Sequence, residues 1–288
     1  MTENYVSSIE AWRRWMDERL RAPNSWLALA GLFWLHEGPN RIGADPVVEV
    51  VLPTGRAPAL AGVIDLRDGR ARLRASGSEG FQIEGVPVRE IELIPDTAEA
   101  PTFIELDDLR MVLIERGGRY AIRLWDNLRH ERRQFPGRVW HPVNPAWRVR
   151  ASHSPHDPPA PIEVPNELGE VTVEESLGKV TFDLHGQGYE LEALEGDDGG
   201  LFLVFGDETN RDASYPSGRF LKTDPPGPDG VILDFNRAYS PPCAFTRFAT
   251  CPLPPQGNRL AVRIEAGELR PAGYGKEISP DRMISSSA

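Results

Sequence analysis

Apolar residues near the start of the chain recur at helical spacing: Ile9, Trp12, Met16 and Leu20 fall three and four apart, the period of one helix face. Ser7 followed by Glu10 matches a capping box. Glu10 with Arg14, and Asp17 with Arg21, stand one turn apart on the polar side, and Pro23 stops the run. This pattern predicts an amphipathic helix covering a β core. From Val47 onward the period drops to two. VIDL and ARLRA flank Asp68-Gly69, while RMVLIER and RYAIRLW flank Gly117-Gly118; both dipeptides suit two-residue hairpin turns with positive φ. The second half repeats the habit, with VTVEE, KVTFDL, YELEAL and LFLVF separated by Leu177-Gly178, by Gly186-Gln187-Gly188 and by Gly196 to Gly200.

No long helical pattern interrupts these runs, which disfavours βαβ units. The expected class is mainly β: antiparallel sandwich or barrel-like sheets with an N-terminal amphipathic helix. Five segments are predicted. Residues 1–40 form the helix and an apolar connector, and 41–152 a first β-rich half. HSPHDPPAPIEVPNELG at 153–169, rich in proline, is a linker or crossover. Residues 170–273 are the second β-rich half, and 274–288 a flexible polar tail.

Composition changes this picture little, but charge narrows the partners. The 288 residues include 32 basic and 43 acidic side chains, a formal charge of −11, which repels phosphate backbones and anionic membrane surfaces. The most apolar window, WLALAGLFWL at 26–35, is far shorter than the roughly 20 residues of a bilayer-spanning helix. It also lacks the flanks of a secretory signal. A cytoplasmic protein with no nucleic-acid or membrane partner is expected; oligomeric state is left open.

Candidate chemistry concentrates in LDFNRAYSPPCAFTRFATCPLPPQGNRL, residues 233–260. The alternating VILDF strand turns Asp234 and Asn236 to one face, and Pro241-Pro242 then breaks it. Around the break stand Arg237, Tyr239, Asn258, Arg259 and, further on, Glu265; Arg219 precedes it. Three arginines, 219, 237 and 259, suit an anion clamp because a guanidinium donates two parallel bonds. The competing reading ties them to Asp207, Glu208, Asp234 or Glu265 as structural ion pairs. Cys243 and Cys251 are buried thiols, a disulfide, or a nucleophile borrowing His36, His141 or His185. Their spacing is not that of a zinc site. His153, His156 and Asp157 read as solvated loop, and neither metal nor cofactor is expected. Asp207 and Glu208 form a carboxylate pair suited to acid–base work or to ending a strand. Tryptophans 26, 34, 125, 140 and 147 are expected in the core.

LDFNRAYSPPCAF with TCPLPPQGNRLAVRIEAGE, the earlier SYPSGRFL, and WLALAGLFWLHEGPNRIG together resemble the bacterial and archaeal DUF1684 family of unknown function. The resemblance implies kinship of fold and carries no activity. Phosphate-cradling glycine loops, GxSxG, HExxH and paired CxxC are absent from the sequence.

Three functions remain. The first is binding of a small anionic or polar molecule by Arg219, Asp234, Asn236, Arg237, Tyr239, Asn258, Arg259 and Glu265 in a β-lined cleft. The second is a hydrolase using Asp234, Asp207 or Cys243 there. The third is a protein-interaction module presenting strand edges or tryptophans.

Overall fold

The computed structural model describes residues 2–77 and 80–271. The tail expected from residue 274 lies outside them. The chain is mainly β and antiparallel, with one long N-terminal helix. Contacts divide it into two compact units, Arg19–Phe135 and the residues up to Glu18 joined with those from Pro136 onward.

The helix spans Thr2–Arg21. It starts ahead of the capping box, so Ser7 lies inside it, and the neighbouring Ser8 Oγ donates to the Tyr5 carbonyl at 2.7 Å, a back-bond that lets serine sit inside a helix. Ile9 and Leu20 are buried on the expected face.

Residues 19–135 build two sheets. One runs in the order Leu29–Trp34, Arg119–Asp126, Leu109–Arg116, Phe103–Leu106, Gln82–Ile83, Val86–Pro87. The other runs Val50–Val51, Gly38–Gly43, Gly62–Arg67, Arg70–Ala75, Glu90–Leu93. Ile42, Ile64 and Leu73 of the second pack with Met111, Leu113 and Ile122 of the first in a common core, the arrangement of a sandwich. Both predicted hairpins form, with positive φ at Asp68, Gly69, Gly117 and Gly118. The apolar stretch assigned to a connector is strand Leu29–Trp34, buried at alternate positions against the sandwich core.

The second unit holds one large sheet in the order Arg219–Lys222, Leu201–Asp207, Gln187–Glu195, Val171–Leu184, Arg148–Pro165, Val231–Asp234. Arg259–Leu260 adds in parallel beside Leu201–Asp207. Its core centres on Phe182, Phe205 and Phe235, whose rings stand 5.7 Å apart in both pairs made by Phe235.

Three features depart from the sequence reading. The proline-rich segment is mostly strand, Arg148–Pro165. Between Ala151 and its end at Pro165, where the Leu253 amide reaches the carbonyl, it has a partner strand on one side only, so prolines sit where no ladder donor is missed. Leu177-Gly178 is a bulge inside Val171–Leu184 rather than a turn. The tryptophans also differ. Trp34, Trp125, Trp140 and Trp147 are half-buried at the margins of the cores and Trp26 is exposed, with arginines over the rings of Trp26, Trp34 and Trp140.

Candidate functional site

Arg219 opens the strand Arg219–Lys222. The preceding Gly218 has φ +102°, and a Cβ there would lie 2.7 Å from the Phe205 carbonyl and 2.6 Å from Pro254, so glycine is needed where the chain turns in. The arginine is wholly buried. Its Nη2 donates to Asp207 Oδ2 at 2.6 Å and to the Ile264 carbonyl at 3.0 Å, and Nη1 donates to the Ala266 carbonyl. Asp207 Oδ1 accepts from the Thr209 and Ile264 amides at 2.8 and 3.2 Å. Both carboxylate oxygens are therefore engaged inside the protein. This ion pair ties the end of Leu201–Asp207 to the 264–266 segment.

Asp234, Asn236 and Arg237 follow one another in a tight turn after strand Val231–Asp234. Tyr5 Oη contacts Asp234 Oδ1 and Oδ2 at 2.8 and 2.9 Å. Asn236 Nδ2 donates to Asp234 Oδ1, to Tyr5 Oη and to the Asn144 carbonyl, while its Oδ1 accepts from the Asn144 amide. Burial, then the bond to Asp234, pushes the Tyr5 hydroxyl well above its ordinary pKa. The network locks helix, turn and the 144 loop together within this unit. Arg237 lies over the Trp12 ring, and the Tyr239 backbone pairs with Phe220.

Cys243 and Cys251 are free and buried. The Cys243 amide donates to Cys251 Sγ at 3.2 Å, and its thiol to Glu167 Oε1 at 3.4 Å. The bond to Cys251 and burial drive the Cys243 thiol far above its usual pKa, the opposite of what a nucleophile needs.

Asn258 is a buried clasp: Nδ2 donates to the Glu192 and Val204 carbonyls and Oδ1 accepts from the Glu192 amide. Its neighbour Arg259 faces outward and has no ion-pair partner among the described residues. It lines a concavity of about 340 Å³, together with Gly206, Asp207, Glu208, Asn210 and Arg211. A Cβ at Gly206 would stand 3.6 Å from Arg259 Nη1, so the guanidinium lies close against bare backbone. Across the concavity Arg211 pairs with Glu208 at 2.9 Å. Glu265 is exposed and meets Arg263 at 3.4 Å.

The predicted residues thus divide among separate polar networks. Arg219 joins Asp207 and Asp234 joins Asn236, while Asp207 and Arg259 both line the concavity without a bond between them. A residue missed in the sequence is Glu268, fully buried, whose Oε2 accepts from Arg138 Nη1 at 2.6 Å and the Ser240 amide at 2.8 Å. Burial raises its pKa against the pull of Arg138. Its signal was the glycine before it: Gly267 has φ +79°, and a Cβ there would stand 2.5 Å from the Ala238 carbonyl.

Among the described residues, no group of three or more His, Cys, Asp or Glu side chains is placed to hold a metal. In the 153–157 segment, His156 Nε2 meets Glu192 Oε2 at 3.2 Å. No described helix is long and apolar enough to cross a membrane.

Comparison with known proteins places the chain. The family model described as Protein of unknown function (DUF1684) matches residues 133–269, and the chain belongs to that family. A solution NMR structure of an uncharacterized protein from gene locus rrnAC0354 of Haloarcula marismortui is 32% identical. That match covers 48% of this chain and 78% of the other at a TM-score of 0.40. An FHA domain, from a structural and functional study of phosphothreonine-dependent FHA domain interactions, is 21% identical. It covers 33% of this chain and 92% of the other at a TM-score of 0.23. Overlaps at these TM-scores carry no argument about function. No curated protein matches the chain.

Proposed function

We propose that the protein binds a small anionic or polar molecule in the concavity beside Arg259. One observation carries the reading: an outward guanidinium without an ion-pair partner among the described residues, on the wall of a recess of about 340 Å³. That volume falls in the range of small-molecule sites, roughly 300–1,000 Å³. Bare backbone at Gly206 lets a ligand oxygen approach the guanidinium closely, and a planar fork suits a carboxylate or phosphate. The buried Arg219–Asp207 pair supports the wall from behind and touches no ligand. Among the predicted residues, direct contact falls to Arg259; Asp234, Asn236 and Asn258 hold the scaffold.

A hydrolytic role draws less support. Asp207 and Asp234 spend their oxygens on internal donors, and the Cys243 thiol is buried and resists ionisation.

The test is thermal denaturation with inorganic phosphate, citrate and a panel of metabolite carboxylates. A ligand at a hundred times its Kd stabilises by about 2.7 kcal/mol, a clear upward shift in Tm. Arg259→Ala should remove that shift while leaving the ligand-free Tm nearly unchanged, because exposed substitutions usually stay within about 0.5 kcal/mol. A shift that survives Arg259→Ala would move the site elsewhere, and no shift with any probe would end the reading.

A further inference from the structure

We infer that the free edge of strand Val171–Leu184, over residues 171–175, takes up an extended basic peptide as an added strand. This surface is distinct from the Arg259 concavity, and four observations support it.

The first is an unpaired ladder. Residues 171–175 pair with Arg148–Pro165 on one side, but Gln187–Glu195 joins the other side only from Ser176 onward. Five residues at about 3.4 Å each leave about 17 Å of edge open. Its outward N–H and C=O groups form a template for another strand.

The second is a contrast between edges. The far side of the same ribbon carries Pro155, Pro158, Pro159, Pro161 and Pro165, which block pairing. Its tip is fastened where the Leu253 amide donates to the Pro165 carbonyl at 2.7 Å. The 171–175 edge has no proline and no such cover among the described residues.

The third is apolar exposure. Val171 and Val173 are 59% and 69% exposed. They share one face with Glu163 and Glu175, which lie on the same register as Val173 and Pro161 across the ribbon. Pockets for alternate side chains give such strand addition its specificity.

The fourth is charge, which chooses the occupant. Between Arg150 and Lys179 there is no lysine or arginine, whereas Asp157, Glu163, Glu167, Glu170, Glu174 and Glu175 all fall there. A second copy would bring the same Glu174 and Glu175 to the edge and a net charge of −11 with them. Like charges oppose that pairing. A strand alternating basic and apolar residues answers both the carboxylates and the valines.

The experiment is fluorescence anisotropy of the full chain with a blocked, labelled peptide alternating lysine and valine. Controls are its glutamate–valine counterpart and a basic peptide N-methylated at alternate amides. Saturable binding of the first peptide alone is expected. Glu174→Lys with Glu175→Lys should weaken it about tenfold or more, since like-charge juxtaposition is costly. Both residues are exposed, so this variant should fold. Hydrogen exchange should show new protection at 171–175 when the peptide is bound. Equal binding of the N-methylated peptide, or of the glutamate peptide, would overturn strand addition or the charge rule. Protection confined to other residues would overturn the site, and dimerisation through 171–175 in place of peptide binding would give the edge to a second copy.

Discussion

Arg219 places a permanent charge where neither it nor Asp207 reaches water. Removing one partner of such a pair leaves the other charge buried and uncompensated, which costs about 3–5 kcal/mol. Arg219→Met and Asp207→Asn should therefore each lower stability by that amount in urea denaturation. Arg219→Met combined with Asp207→Leu should recover part of the loss, because two apolar groups leave no orphan charge. If the single variants fell within 1 kcal/mol of wild type, the pair would not be the tie described. Glu268 gives a prediction in pH. A glutamate in an unfolded chain titrates near 4.3, and burial raises the folded value above that. The native state then holds a proton that the unfolded state releases between the two values. Stability from this group is complete below about pH 4 and falls as pH rises through the folded value. Glu268→Gln cannot titrate, so the Tm advantage of wild type over that variant should shrink from about pH 4 upward and then level off. A difference constant with pH would contradict the raised value. Cys243 should resist alkylation in the native protein and react once unfolded, since thiolate is the reactive form. Fast native alkylation would refute the buried, hydrogen-bonded thiol.

At the scale of elements, the bulge in Val171–Leu184 is the sharpest test of the sheet. Gly178 has φ +148°, and a Cβ there would meet the Ser154 carbonyl at 2.4 Å and Pro155 Cα at 2.7 Å. Gly178→Ala should cost at least about 1–3 kcal/mol, measured by thermal denaturation, whereas Gly188→Ala, with open space at its Cβ, should cost far less. What the sequence revealed follows from how local each rule is. Asp68-Gly69 and Gly117-Gly118 were legible because a two-residue turn needs positive φ at adjacent positions, and four neighbouring letters state it. Leu177-Gly178 uses the same letter for a different purpose: only the register against Ser154 and Pro155 shows that the chain continues. The proline-rich strand was hidden for a related reason. Proline excludes itself from a paired edge, and nothing local says that Arg148–Pro165 loses its second neighbour after Ala151. For the site, the residue types around the signature turn were visible, but their partners were not. Asp234 closes on Tyr5, 229 positions away, and Arg219 on Asp207 across neighbouring strands; neither distance is written in the spacing.

The whole molecule adds a long-range field to these local contacts. A charge of −11 favours the approach of cations over anions, and Asp157, Glu163, Glu167, Glu170, Glu174 and Glu175 add carboxylates to the ribbon that bears the open edge. Such fields act mainly on association, raising on-rates by about 10- to 1,000-fold at low salt. They decay over a Debye length of about 8 Å at physiological ionic strength. Short-range ladder bonds and valine contacts govern departure instead, because differences in affinity among related complexes reside largely in dissociation. Stopped-flow mixing with the lysine–valine peptide should then show association slowing by about tenfold or more between low and high salt, with dissociation nearly constant. A ligand bound as proposed at Arg259 should respond differently in one respect. An anion approaches against the net field, so salt weakens both its long-range repulsion and its attraction to a single guanidinium, and its on-rate should change less than that of the peptide. If peptide association were indifferent to salt, capture would rest on the valines alone, and the acidic ribbon would have no part in choosing the partner.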